Sequence, residues 1–479
     1  MRVLFPVSEI YPMAKTGGLG DVAAALPVAL AEAGVDVRLV MPAYPTALRA
    51  VERAQPPRPL ADFGALGSAR IIEAVTPDSA LPIWLIDSPE LYDRPGGPYQ
   101  DAQGQPWPDN LERFALLSRA AVLLSGDSSP FAWRPDVMHA HDWHTGLAMP
   151  LLLGDARRPR TVFTVHNMTF PGVFPAERFG LTGLPREMLA STGIGVDDGF
   201  SLLKAGLAFA DWVTTVSPTY AAEIQTAEFG GEFAPLLAGR DESLSGILNG
   251  VDYRIWDPSR DPLIARRYDA HDLSGKAACK AALRAAYDLS GAPEAPLFGI
   301  VGRLTEQKGI DLVPDALVPA LDAGAQLVVL GHGDARLEEL MRAYAMRHSN
   351  SVRLRFGFDE SLAHAIEAGA DIFLMPSRFE PSGLNQMYSQ RYGTPPVVHA
   401  VGGLADTVTD ADVRTLTDGT ATGFMFREPG VPAFAAAIDR ALALYARPDA
   451  WRALQRSGMA ADFSWSRSAA LYIDLYNSL

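Results

Sequence analysis

The stretch Ala370-Asp371-Ile372-Phe373-Leu374-Met375-Pro376-Ser377-Arg378-Phe379-Glu380-Pro381-Ser382-Gly383-Leu384-Asn385-Gln386 decides the fold. Its apolar opening predicts a short buried strand, and residues 384–392 predict a helix. A strand that stops, a loop holding Arg378 and Glu380, and a helix starting beside Gly383 place polar groups at the carboxyl edge of a parallel sheet. Open α/β sheets bind ligands there. Main-chain N–H groups at a helix start favour an anion. In one reading, Glu380 contacts sugar hydroxyls while the Gly383 and Leu384 amides meet a phosphate. In the other, Arg378 and Glu380 form a solvated ion pair on an ordinary loop.

At 479 residues the chain exceeds one ordinary hydrophobic core, so two or three domains are expected. Hydrophobic residues at 48% and charged residues at 20% describe a globular chain, and no apolar run is long enough to span a membrane. A net charge of −15 argues against a nucleic-acid partner. It also means that an anionic substrate must be met by locally concentrated Lys and Arg. The single cysteine, Cys279, allows neither an intrachain disulfide nor a cysteine-based metal site, which fits a reducing compartment. The apolar start is too short for a signal peptide. A cytoplasmic location is expected.

Outward from the opening stretch, strand and helix signals alternate. Strands are predicted over residues 3–7, 35–41, 71–75, 83–86, 136–140, 161–166 and 212–216, with helices over 21–33, 111–124 and 202–210. Pro27 predicts a kink or a late start in the first helix. The pattern breaks near Asn249-Gly250, and residues 253–273 show no periodicity. A second series follows: strands over 297–301, 326–330, 352–356, 372–375 and 396–399, helices over 311–321, 336–347 and 361–368, then helices over 433–445, 450–460 and 466–476. Such alternation implies mostly parallel sheets covered on both faces. The same architecture used twice puts a cleft between the halves. The domains are 1–250, and 251–462 comprising a linker and the second α/β unit.

Lys15-Thr16-Gly17-Gly18-Leu19-Gly20-Asp21 opens the first helix. The glycines let backbone approach a ligand, the helix start favours a phosphate, and Lys15 adds a charge. The letters also fit a dinucleotide fingerprint, but the preceding loop is too long and the second strand ends without an acidic residue for a ribose. His139-Ala140-His141-Asp142-Trp143-His144 invites a metal reading. The alternative is that a strand end presents polar groups, Asp142 orienting a neighbour or accepting from a hydroxyl. His166 ends the next strand, as a site residue or as a satisfied structural histidine. Arg303 and Lys308, in Gly302-Arg303-Leu304-Thr305-Glu306-Gln307-Lys308-Gly309, suit a diphosphate unless they are a plain surface pair. Leu330-Gly331-His332-Gly333-Asp334 is a weaker turn for a nucleoside. Asp410-Ala411-Asp412 matches a metal-binding D-x-D in letters only.

Lys15 to Asp21, His139 to His144, Gly302 to Asp311, Ser377 to Asn385 and Gly402-Gly403-Leu404-Ala405-Asp406-Thr407 together resemble the glycogen and starch synthase family, over nearly the whole chain and in the right order. The resemblance implies an α/β chain of the GT-B arrangement: two Rossmann-like domains with parallel sheets facing a deep inter-domain cleft, and a last helix, within 463–479, packing back on the first domain. It implies glucose transfer from ADP-glucose to the non-reducing end of an α-1,4-glucan such as glycogen, with retention and with neither metal nor cofactor. Other retaining GT-B transferases, with a different nucleotide-sugar donor or a small acceptor, are the nearest alternative.

By motif match, Arg303 and Lys308 bind the diphosphate and stabilise the leaving group, with Lys15 helping from the first domain. Glu380 contacts the glucosyl ring and His166 lines the acceptor side. Gly17, Gly18, Asp21, Tyr99, Asp142, Asn249, Ser382, Gly383 and Leu384 support the substrate pocket. One departure stands out: Ser382 occupies a position where the bacterial family commonly has Cys. A hydroxyl still donates and accepts there, so activity is expected to survive and thiol reagents to find no target at that site.

Overall fold

Continuous apolar runs mark the central strands. Val3-Leu4-Phe5, Val137-Met138, Val162-Phe163 and Ile372-Phe373-Leu374 are almost wholly withdrawn from water, as strands of a sheet covered on both faces must be. The computed structural model describes residues 1–190, 192–197 and 199–479. They form two units: residues 1–250 with 465–479, and residues 251–464.

Unit 1 holds β1 (Arg2–Pro6), β2 (Asp36–Pro42), β3 (Arg58–Asp62), β4 (Ser68–Val75), β5 (Pro82–Asp87), β6 (Val137–His141), β7 (Arg160–Val165), β8 (Val173–Phe174), β9 (Gly195–Val196), β10 (Gly199–Ser201), β11 (Trp212–Thr215) and β12 (Leu244–Gly246). Its main sheet runs β12-β11-β7-β6-β1-β2-β5-β4-β3, and β8, β10 and β9 form a small separate sheet. All main-sheet pairs from β12 to β5 are parallel, whereas β4 and β3 add an antiparallel edge. The expected, mostly parallel sheet thus carries an antiparallel edge, which includes residues 71–75. The short link from β4 to β5 leaves no room for a crossover helix, so those strands must turn back on each other.

Unit 2 holds β13 (Leu297–Val301), β14 (Gln326–Gly331), β15 (Val352–Phe356), β16 (Ile372–Met375), β17 (Pro396–His399) and β18 (Phe424–Phe426), all parallel, in the order β15-β14-β13-β16-β17-β18. Counted along the chain this is the doubly wound order 3-2-1-4-5-6, and the parallel part of unit 1 repeats it with one strand added. Strand order reverses between β1 and β6 in unit 1 and between β13 and β16 in unit 2. Crevices for ligands open at the carboxyl ends of such strand pairs.

The first helix spans Gly18–Glu32 and runs through Pro27, so the late start is not seen. It begins within the glycine pair, Gly17 standing just before it and Gly18 as its first residue. Residues 251–273 form neither helix nor strand, yet they are tied down. Trp256 stacks between His364 and Tyr388 at 3.8 and 4.0 Å. Asp257 pairs with Arg391, and Asp261 accepts the Tyr392 hydroxyl at 2.6 Å.

The last helix, Trp465–Ser478, belongs to unit 1. It packs against Gly18–Glu32 and buries Trp465, Ala469, Tyr472, Leu475 and Tyr476 in the unit 1 core. Fully buried His139 meets the Tyr476 hydroxyl through Nδ1 and Thr164 through Nε2, both at 2.6 Å. Replacing Tyr476 by Phe strands one buried ring nitrogen. Thermal or urea unfolding should show a loss of about 1–3 kcal/mol, the cost of an unpaired buried polar group.

Candidate active site

Two loops of unit 2 meet at the β13/β16 switch point. The loop after β13 carries Arg303 and Lys308; the loop after β16 carries Ser377, Arg378, Glu380 and Ser382. Lys308 donates to Glu380 Oε2, which also accepts from Ser377 Oγ at 3.1 Å. The other oxygen of Glu380 has no partner among the described residues. Glu380 is 6% exposed, so this is a largely desolvated ion pair. Arg303 is exposed and has no protein partner among the described residues. The Arg378–Glu380 pair does not form. Arg378 grips both oxygens of Asp311 at 2.7 Å and the Glu306 carbonyl.

The loop geometry rests on glycines. Gly309 has φ +65°, and a Cβ there would lie 2.0 Å from the Pro376 carbonyl oxygen. Gly402 and Gly403 press equally close to the Glu380 and Ser382 carbonyls, and the Gly403 amide donates to Glu380 O at 3.0 Å. Gly383 turns with φ +67°, which seats buried Gln386 beneath it. The N–H groups of Gly383 and Leu384 donate to nothing among the described residues, as an anion site requires. Ser382 is buried, and its hydroxyl makes one bond at 3.3 Å, to the Gly383 carbonyl.

The Gly331–Gly333 turn lies against the loop after β13. A Cβ on Gly331 would meet the Gly302 carbonyl at 2.0 Å, so these glycines serve packing of the β14 turn on the β13 loop. Asp334 caps the next helix. Asp412 likewise caps a helix, and Asp410 pairs with Arg440, which accounts for the D-x-D letters.

In unit 1, the switch point between β1 and β6 gathers the Lys15 loop and Asp142. Lys15 pairs with Asp21 at 2.6 Å and lies over the Tyr11 ring. Gly17 and Gly18 are exposed, with open space where a Cβ would stand. The Gly17 amide turns inward to Glu9, so it is not available to a phosphate. Asp142 sits at φ +53°, a conformation that non-glycine residues adopt at some cost. Its Oδ1 accepts the His166 amide at 2.8 Å. Burial lifts its carboxyl to about 7 against the pull of the His166 and Asn167 N–H groups.

Burial also drops the His166 imidazole to about 3, and it keeps His139, His141 and His144 neutral. His166 Nε2 meets His141 Nδ1 at 3.1 Å, leaving Nδ1 as a neutral hydrogen-bonding atom. Tyr99 is fixed from two sides: its ring stacks on His144 and its hydroxyl meets Ser8 at 2.7 Å. Asn249 is buried at the end of the unit's long segment. The metal reading of His139 to His144 finds no support in these contacts, since both His139 nitrogens are taken. Among the described residues no cluster of three metal-ligating side chains occurs.

Sequence reasoning missed two residues. Glu9 lies in the loop after β1 with nothing in its spacing to mark it, and only the fold shows that it is 3% exposed. Phe358, two residues beyond β15, is 85% exposed. A bare aromatic after Gly357 at a strand's carboxyl end was the available signal.

Two units of doubly wound order, with cations and polar side chains at both switch points, are the features of the GT-B glycosyltransferase fold. Residues 2–239 match the starch synthase catalytic domain family and residues 289–456 the glycosyl transferases group 1 family. A glycogen synthase of Paramagnetospirillum magneticum is 50% identical over 100% of this chain and 98% of its own. One of Methylococcus capsulatus is 49% identical over 99% and 96%. The solved catalytic domain of starch synthase IV from Arabidopsis thaliana, bound to ADP and acarbose, superposes with a TM-score of 0.88 at 34% identity, covering 100% of this chain and 98% of that one. Sucrose-phosphate synthase from Thermosynechococcus elongatus, at 19% identity and a TM-score of 0.60, shares the fold. The chain belongs to the glycogen and starch synthase family.

Cys279 is 3% exposed and its thiol donates to the Arg266 carbonyl at 3.2 Å. With Ser382 in the loop after β16, the folded protein should keep its activity through an incubation with a thiol reagent that fully labels the unfolded chain. Rapid inactivation prevented by ADP would contradict this.

Proposed function

We propose that the chain transfers glucose from ADP-glucose to the non-reducing end of an α-1,4-glucan such as glycogen, with retention of configuration. The observation that carries this reading is the β13/β16 edge. There, among the described residues, the Arg303 side chain is unpartnered, Lys308 is oriented by Glu380, and the Gly383 and Leu384 amides are unoccupied. Two cations and two N–H groups match a diphosphate. They stabilise the charge that grows on it as the bond to glucose breaks, the task that a metal performs in other nucleotide-sugar enzymes. The reaction therefore needs neither metal nor cofactor.

Lys308 can serve both partners, because an ammonium carries three donors and Glu380 uses one. Glu380's remaining oxygen suits a glucosyl hydroxyl. Its other oxygen is held by an ammonium and a serine hydroxyl, and no second carboxylate is paired with it as double displacement demands. Front-face displacement follows: the acceptor hydroxyl arrives on the side from which ADP departs, and the departing diphosphate takes its proton. In unit 1, Lys15, held by Asp21, offers a cation, while neutral His166 and Asp142 offer contacts for sugar hydroxyls. Phe358 offers a flat face for a base.

ADP release with ADP-glucose or UDP-glucose, with and without glycogen, tests the reading. Glycogen-dependent release from ADP-glucose, unchanged by a chelator, is expected. Preference for UDP-glucose overturns the donor, and release that ignores glycogen overturns the acceptor.

Lys308→Ala should lower turnover by about 10²–10³-fold, the usual cost of removing one charge-stabilising donor, with glucan affinity unchanged. Because the variant leaves Glu380 without its cation, its melting temperature must be measured alongside. Near-normal turnover would rule out the leaving-group role.

A further inference from the structure

Glu9 sits at the carboxyl end of β1 with 3% exposure, and the mechanism above does not use it. One of its oxygens, Oε2, accepts the amides of Thr16 and of Gly17, the latter at 3.4 Å. It thereby ties down the turn that displays Lys15 and Gly18 immediately before the helix Gly18–Glu32. Four other ionisable groups face it. Asp21 comes from that helix, Tyr99 from the segment before the helix Asn110–Ser125, Tyr44 from the end of the β2 loop, and Asp142 from the end of β6. None is a cation; the nearby cation, Lys15, is taken by Asp21. A carboxylate without a cation in such a place must be stabilised by the hydrogen bonds that it accepts: two come from one loop, through Thr16 and Gly17, and the Tyr99 hydroxyl adds a third.

We propose that Glu9 is a positioning residue whose carboxylate holds the Lys15–Gly18 loop in its substrate-binding shape, so that the loop's grip on the donor depends on the charge of Glu9. The statement rests on the glucosyltransferase reading for the words "donor" and "grip"; the loop contact stands without it. The direction of the pH effect follows from the environment. Burial, helped by Asp21, raises the Glu9 carboxyl to about 7 despite the Thr16 and Gly17 amides and, less strongly, the Tyr99 hydroxyl. The loop is therefore held most firmly above pH 7 and loosens as pH falls through it. Stability moves the other way. A carboxyl raised on folding makes the charged folded protein less favourable as pH rises from the unfolded value toward 7, so a neutral glutamine is spared that cost.

The test compares wild type with Glu9→Gln. Hydrogen exchange of peptides covering residues 10–20, measured without substrate and corrected for intrinsic rates, should show protection falling about five-fold below pH 7 in wild type, the difference between charged and neutral acceptors. In Glu9→Gln it should be low and flat from pH 6 to 8. The KM for ADP-glucose should rise as wild type is acidified and be raised and flat in the variant, with melting at pH 8 no lower than wild type. Asp142→Asn should keep the exchange inflection.

Matching exchange profiles, matching KM profiles, or a variant that melts several degrees lower would each overturn the proposal, the last by making Glu9 a structural residue. A wild type inactive on every nucleotide-glucose would fail the glucosyltransferase reading alone, since the exchange experiment uses no substrate.

Discussion

The ion pair between Lys308 and Glu380 constrains everything around it. Taking an ammonium and a carboxylate largely out of water is costly, and their attraction offsets the cost only when geometry is fixed and the remaining donors and acceptors are satisfied. Unit 2 fixes that geometry with backbone. Gly309 lets the β13 loop lie against the Pro376 carbonyl, and Gly402-Gly403 let the chain after β17 lie against the carbonyls of Glu380 and Ser382. Three segments distant in sequence thus converge on Glu380, two of them meeting at its carboxylate and the third lying against its main-chain carbonyl. A methyl group at any of these glycines would push the loops apart and leave the pair half-made.

Unit 1 solves a different problem with the same sheet order. Its edge gathers carboxylates, Glu9, Asp21 and Asp142, and only Asp21 has a cation. Glu9 and Asp142 are instead held mainly by main-chain N–H groups: Thr16 and Gly17 for one, with the Tyr99 hydroxyl beside them, and His166 and Asn167 for the other. Main-chain donors cannot be lost to a rotamer change, so the loops that supply them are shaped by the carboxylates they serve. The positive φ of Asp142 belongs to this arrangement, because the strained turn aims its side chain back at the end of β7.

Much of this was legible in the residues. Buried parallel strands announce themselves as unbroken apolar runs, which is why β13, β16 and β17 match their predicted spans, whereas β15 shows itself by the strict alternation of Val352, Leu354 and Phe356 with Arg353 and Arg355. The small sheet β8-β10-β9 and the edge strands β3 and β12 were not foreseen, since two- and three-residue ladders and polar edge strands carry no such signature. The partners of charged residues were least legible. Arg378 and Glu380 are two apart in sequence, yet each binds a residue in the loop after β13. Side-chain direction at a loop depends on strand order, and strand order is a property of the whole sheet. Glu9 was invisible for the same reason: burial of a loop carboxyl is decided by what folds over it.

The final helix has a consequence for how the chain is made. Unit 1 begins at the first residue, but its core includes Trp465, Tyr472 and Tyr476 from the last fifteen. During synthesis the N-terminal α/β unit leaves the ribosome with an open slot beside the helix Gly18–Glu32, and His139 waits there without the tyrosine hydroxyl that satisfies it. All of unit 2 is translated before the slot can fill. Unit 1 therefore reaches its full stability only after residues 465–479 have emerged, while unit 2, being continuous, can finish earlier.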